Sequence, residues 1–296
     1  MTKSAIFSIR RVVILFVCLF PALSFANGIG SIPPEVTQNV PYTTETAPTA
    51  PSGGTSVPAA ISLYEAASKH LLSNTQRVNL KEAFRLYNES AQMGYAPAQL
   101  ALGTLYFRGA TGTPDYQKAL EYYLLAANQG NPIACYNVGL IYENGLLGHK
   151  ELEKAATWYL RGAELKDAAC QYKAGEMYRF GRGVFQHYET AARYYKEATA
   201  QGYSPAQTRL GYLYLKGQGV PKDMVACLNL LNSAADQDDA DAQYTLGWLY
   251  ETGNGVSKST TNALLWYKKA AKQSHQRAAL AIKRINAGGT RLTIGN

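Results

Sequence analysis

Only four of the 296 residues are cysteine and four are histidine, and charged side chains make up just 17% of the chain. So few cysteines exclude a disulfide-framed miniprotein. His70, His149, His187 and His275 share no common spacing and form no His-x-x-x-His pair, so no metal site and no cofactor are expected. Long apolar runs are also missing. The longest near the amino terminus, residues 12–20, is stopped by Pro21 after nine residues, whereas a spanning helix needs about 20. Acidic residues stop at Glu251, and eight basic ones follow in residues 252–296. Hydrophobic residues nevertheless reach 47%, which excludes a chain kept extended by its own charge.

The formal charge of +8 is unevenly distributed. Residues 57–251 hold 18 basic and 19 acidic side chains, so the body is nearly neutral and the excess lies at the two ends. A nucleic-acid reader would more commonly line a groove or helix with Lys and Arg, and no helix-turn-helix, zinc-finger or RNA-binding motif is present. No nucleic-acid partner is expected.

The amino terminus reads as a secretory signal. Lys3, Arg10 and Arg11 precede the apolar run, and small residues end at Ser24-Phe25-Ala26. Cleavage after Ala26 would give a periplasmic or secreted protein with no stable membrane span, expected as a monomer. Cys18 follows Val17, where a lipoprotein signal wants a small residue. Residues 27–58 hold six of the 12 prolines among Thr, Ser and Gly. They read as a disordered linker, because they can bury too little surface to offset the entropy of ordering.

Beyond the linker the chain repeats itself with a period of 36 residues. Gly103, Gly139, Gly175, Gly211 and Gly247 keep this spacing, as do Tyr106, Tyr142, Tyr178, Tyr214 and Tyr250. Gly109, Gly145, Gly181, Gly217 and Gly253 form a third series. Ala119, Ala155, Ala191, Cys227 and Ala263 form a fourth. Each unit shows helical spacing twice: Ala98, Leu102 and Tyr106 share one face, and Ala119, Tyr123 and Ala126 another. Pro97, Pro132 and Pro205 fall where a first helix would begin, and Gly109 and its equivalents where it would end. The mid-helix glycines cost about 1 kcal/mol each against Ala, and close approach of a second helix would offset that cost.

This pattern, clearest in AQTRLGYLYLKGQGVPKD at residues 206–223, resembles the Sel1-like repeat, a relative of the tetratricopeptide repeat. Residues 97–275 read as five units. A partial capping unit precedes them at 59–96, a capping helix follows at 276–288, and 289–296 form a tail. The first two units lack the Gly-x-Gly loop, reading GATGTPD and GLLGHKE from Gly109 and Gly145. The resemblance implies an all-α, right-handed α-solenoid with first helices lining a concave face. It also implies an adaptor role in envelope assembly, motility, host contact or toxin immunity.

Other chemistry is weak against this scaffold. Gly181-Arg-Gly183 and Gly217-Gln-Gly219 lack the strand-to-helix context of a phosphate loop. The run Asp236, Asp238, Asp239, Asp241 lacks the Gly and final Glu of a calcium loop and suits the start of a helix. The cysteine-rich branch of the family pairs cysteines within a repeat and includes penicillin-binding or β-lactamase-like members. Here Cys135, Cys170 and Cys227 sit in three different units, so free thiols are expected. Cys135 and Cys170 differ by one in register, which would turn their Cβ atoms about 100° apart. The preferred reading is a non-enzymatic binder of a protein partner, with such an enzyme or an envelope-polymer binder as alternatives. The face opposite the core in the last two units carries Arg209, Tyr212, Lys216, Tyr244 and Trp248, a mixture typical of binding hot spots. Tyr244 and Trp248 also suit packing against a neighbouring repeat as an i, i+4 pair.

Overall fold

The computed structural model describes residues 57–72, 79–110 and 112–288. Within them lie thirteen α-helices and no strand. They are α1 (Val57–Leu72), α2 (Leu80–Gln92), α3 (Ala96–Phe107), α4 (Tyr116–Asn128), α5 (Pro132–Asn144), α6 (Leu152–Glu164) and α7 (Ala168–Phe180). After these come α8 (Tyr188–Thr199), α9 (Ser204–Lys216), α10 (Met224–Asp236), α11 (Ala240–Thr252), α12 (Thr260–Lys272) and α13 (Gln276–Asn286). The signal at 1–26, most of the linker and the tail at 289–296 lie outside the described residues. Val57 and Pro58, grouped with the linker by composition, open α1.

Side chains at the helix starts explain the boundaries. Asn79, Asp115, Asn131, Asp167, Asp223, Asp239 and Ser259 each accept a hydrogen bond from a backbone N–H of the first turn. His187 and His275 do the same through Nδ1. Of the acidic run, Asp239 is thus the cap of α11, and Asp241 lies in its first turn. First helices α5, α7, α9 and α11 end on Gly145, Gly181, Gly217 and Gly253, whose φ values of 65° to 71° place them in the left-handed region.

Each helix pair shares an alanine-rich seam. Ala119, Ala155, Ala191, Cys227 and Ala263 on the second helices are all fully buried, as are Ala98, Ala134, Cys170, Ala206 and Ala242 on the first. Large buried volume comes from Tyr123, Tyr159, Tyr195 and Tyr267, each at most 2% exposed. The ring of Tyr159 lies over Gly139 so closely that a Cβ there would sit 2.5 Å from Cε1. The mid-helix glycine therefore makes room for a tyrosine ring from the second helix.

Every helix packs on its sequence neighbours in an all-α solenoid. First helices of successive units also touch, α5 with α7 and α9 with α11, and no pair of second helices packs to that extent among the described residues. The first helices thus occupy the more crowded side of the stack.

Candidate protein-interaction surface

The first-helix face carries a series of buried struts between successive repeats. The Tyr159 hydroxyl donates to Glu143 Oε2 at 2.8 Å, and Lys173 Nζ of the next repeat reaches the same oxygen at 2.8 Å. Tyr195 donates to Glu176, and Arg209 of the next repeat lies 3.5 Å from that carboxylate. Tyr267 donates to Glu251 at 2.7 Å, and Arg284 of α13 grips both of its oxygens at 2.6 and 2.8 Å. Burial first, and then the facing carboxylate, raise the pKa of all three phenols. The hydroxyls therefore remain donors, and each strut is a hydrogen bond from a phenol to a carboxylate.

Three of the five sequence-selected residues are held in this framework. Arg209 bridges Glu176 and Asp241, with Nη2 at 3.2 Å from the latter, and its Nε is buried without an aligned acceptor. Tyr244 stacks on the His275 ring at 4.7 Å between centroids and leans on Tyr267 at 5.5 Å. Trp248 is half-buried against the clusters around α10–α11 and α12–α13. The contacts of Arg209, Tyr244 and Trp248 are those of a repeat junction.

Tyr212 and Lys216 join a different group. Lys216 Nζ is 5.7 Å from the Tyr212 ring centroid, and the Arg179 guanidinium is 4.9 Å from it on the preceding repeat. Arg179 is also 4.7 Å from the Phe180 ring, and Arg182 stands at the same distance. The result is a row: Arg182, Phe180, Arg179, Tyr212, Lys216. Phe180 is 45% exposed and Lys216 is exposed, whereas Tyr212 is partly buried and Arg179, 3.8 Å from Glu176, anchors the row to the first-helix face. Cation–π contacts of this kind order the long side chains while leaving N–H donors free to meet an acceptor. Sequence reasoning missed Phe180, Arg179 and Arg182 because it chose the last two units, whose central positions are Tyr212 and Trp248, over the unit centred on Glu176, and because Arg182 lies beyond the first helix. The signal was present in the same strip one repeat earlier.

A second periodic feature also escaped the sequence reading. Gln129, Gln201, Gln237 and Gln273 donate through Nε2 to Gln99, Gln171, Gln207 and Gln243 at 2.8 to 3.0 Å. The acceptor glutamines are buried, and each rung closes one repeat from its first helix to the end of its second. The repeat formed by α5 and α6 has none: Cys135 and Leu165 stand in the two positions. Cys135, Cys170 and Cys227 are free and fully buried. Burial pushes the thiols of Cys135 and Cys227 up to about 11, and burial with Asp167 raises Cys170. Among the described residues no cluster of three or more His, Cys, Asp or Glu is placed to hold a metal. No described helix is long and apolar enough to cross a membrane.

Stacked helix pairs of constant length, locked by the same side chains at the same positions, define an α-solenoid repeat protein. The Sel1 repeat family model matches residues 60–95, 96–131, 132–167, 168–203, 204–239 and 240–275, and the chain belongs to that family. The pair α1 and α2, read from sequence as a partial capping unit, falls in the first of these matches. Among solved structures the chain is similar to a protective antigen of uropathogenic Escherichia coli displaying an SLR fold. The identity is 26% and the TM-score 0.68, over 79% of this chain and 50% of that one. It is also similar to a Sel1 repeat protein from Oxalobacter formigenes, with 28% identity and a TM-score of 0.67 over 77% of this chain and 86% of that one. The chain thus spans half the length of the Escherichia coli antigen. Curated proteins yield no match.

Proposed function

We propose that the chain is an exported, non-enzymatic adaptor that binds one protein partner through the first-helix face around Phe180, Tyr212 and Lys216. The observation that carries this reading is the row of alternating aromatic and cationic side chains, open to solvent at Phe180, Arg182 and Lys216 and anchored where Arg179 and Arg182 pair with Glu176 and Glu143. Repeat solenoids are suited to protein–protein contact because each unit adds a nearly independent surface to a rigid stack. Arg and Tyr are enriched at binding hot spots, and the cations favour a partner that presents carboxylates beside an apolar group. Export rests on the order of basic, apolar and small residues in 1–26.

The test uses the mature chain, expected to begin at Asn27 by intact mass, cross-linked in an extract of its own envelope. One stoichiometric protein should be captured. Phe180→Ala with Lys216→Ala, both exposed, should weaken its binding by about 2 kcal/mol or more at nearly unchanged melting temperature. Retained affinity in that double variant would reject the surface, and retention of residues 1–26 would reject export.

A further inference from the structure

Within residues 96–275 the junction between the α5–α6 repeat and the α7–α8 repeat departs from its equivalents at four positions together. Where other repeats carry Gln99, Gln171, Gln207 and Gln243, it has Cys135, and Leu165 replaces the partner glutamine. In place of Ala98, Ala134, Ala206 and Ala242 it has Cys170, and in place of Ala126, Ala198, Ala234 and Ala270 it has Gly162. These changes meet in space. A Cβ built on Gly162 would lie 2.8 Å from Cys170 Cβ, 2.3 Å from Cys170 Sγ and 3.3 Å from Cys135 Cβ. Gly162 on α6 therefore opens the space into which both cysteines face, from α5 on one side and α7 on the other. The one-residue difference in register, which on a single helix would turn the two side chains apart, is compensated because α5 and α7 approach Gly162 from different sides. The Cys170 thiol donates to Pro132 O at 3.5 Å, a weak contact that a rotation about χ1 gives up readily.

We propose that Cys135 and Cys170 form an intramolecular disulfide that staples α5 to α7 across this junction. A bridge needs Cβ atoms about 3.8 Å apart, and two Cβ atoms at 2.8 and 3.3 Å from one point lie at most about 6 Å apart, so α5 and α7 close on the space left by Gly162 by no more than about 2 Å. The oxidant is a low-molecular-weight disulfide. One cysteine thiolate attacks it, forms a mixed disulfide and releases one small thiol. The second cysteine then attacks the protein sulfur and displaces the other small thiol. Both cysteine protons end on the two released thiols, and the two electrons taken from the cysteines reduce the oxidant. Cys227 lies in another repeat and takes no part.

Burial shields both thiols in the folded chain, so the test is made at equilibrium, by refolding the full chain in mixtures of reduced and oxidised glutathione. The same mixtures in concentrated urea give the unfolded reference. The native chain is expected to form the Cys135–Cys170 bond at least tenfold more readily than the unfolded chain, with the linked peptides identified by mass. By linkage, the oxidised chain should melt at a higher temperature than the reduced one. Cys227→Ala should keep the bond, and Cys170→Ala, which restores the alanine of positions 98, 134, 206 and 242, should abolish it. A bond no more favoured in the native chain than in urea, or glutathione held as a mixed disulfide on Cys135 or Cys170 at equilibrium, would overturn the proposal.

Discussion

At the scale of single residues the glycine–tyrosine contact divides the repeats into two kinds. In four units the second-helix tyrosine lies on the first-helix glycine and its hydroxyl finds Thr104, Glu143, Glu176 or Glu251. In the α9–α10 unit Leu231 replaces the tyrosine, and the place of Glu143 and Glu251 is taken by the buried Leu215. The hydroxyl and its carboxylate disappear together, because a carboxylate buried without its donor costs several kcal/mol. Gly139→Ala should therefore destabilise the protein by about 1–3 kcal/mol, since Cβ would meet the Tyr159 ring at 2.5 Å. Gly211→Ala meets Leu231 Cγ at 3.3 Å and gains up to about 1 kcal/mol of helix propensity. Urea midpoints of the two variants should move in opposite directions or differ clearly in size. The glycine and tyrosine series were legible in the sequence because they repeat in one register. Their acceptors were not, since Glu143 and Glu251 lie four residues after their glycine and Glu176 only one.

At the scale of elements, the Gln–Gln rungs show how a helix pair is closed and why one pair can do without. Leaving one buried amide unpaired costs about 1–3 kcal/mol, whereas replacing both partners by apolar groups can be nearly neutral. That is the solution found at Cys135 and Leu165. Gln237→Leu alone leaves the buried Gln207 without its donor and should lower stability, and adding Gln207→Leu should recover about 1 kcal/mol of the loss in a double-mutant cycle. Strict additivity would mean that the rung carries no coupling. The same scale separates the two parts of the sequence-selected strip. Trp248→Ala removes a ring wedged between two helix clusters and should lower stability by roughly 2 kcal/mol. Phe180→Ala, at the exposed end of the row, should leave the melting temperature within a degree or so. The first-helix strip was readable from a 100° wheel of one helix. Its division into strut and exposed row was not, because Arg179 and Tyr212, and Arg209 and Asp241, meet across neighbouring repeats, and Tyr244 stacks on His275 at the start of the capping helix α13.

At the scale of the whole molecule the near-neutral body and the wealth of tyrosine have one explanation. Charges on the first-helix face are shared between successive repeats, so each added unit brings about as many acids as bases, and the phenols beneath them are sealed from water. That seal makes stability depend on alkaline pH. Burial pushes Cys227 from 9.0 up to about 11, and Tyr64, Tyr123 and Tyr172 from 10.0 up to about 12. As pH rises past about 9 the unfolded chain releases these protons while the folded chain keeps them. The unfolded state then binds fewer protons, and the slope of stability against pH is negative. The contribution is fully present below pH 9 and is lost as pH passes through about 11 to 12. The denaturant midpoint should accordingly be flat between about pH 7 and pH 8 and fall steadily above pH 9. Tyr123→Phe should reduce the steepness of that fall, because it removes one proton difference and only the 3.2 Å bond to Thr104. A midpoint flat to pH 11, or an unchanged slope in Tyr123→Phe, would mean that the phenols and thiols reach water in the folded chain and that the repeats are not sealed as described.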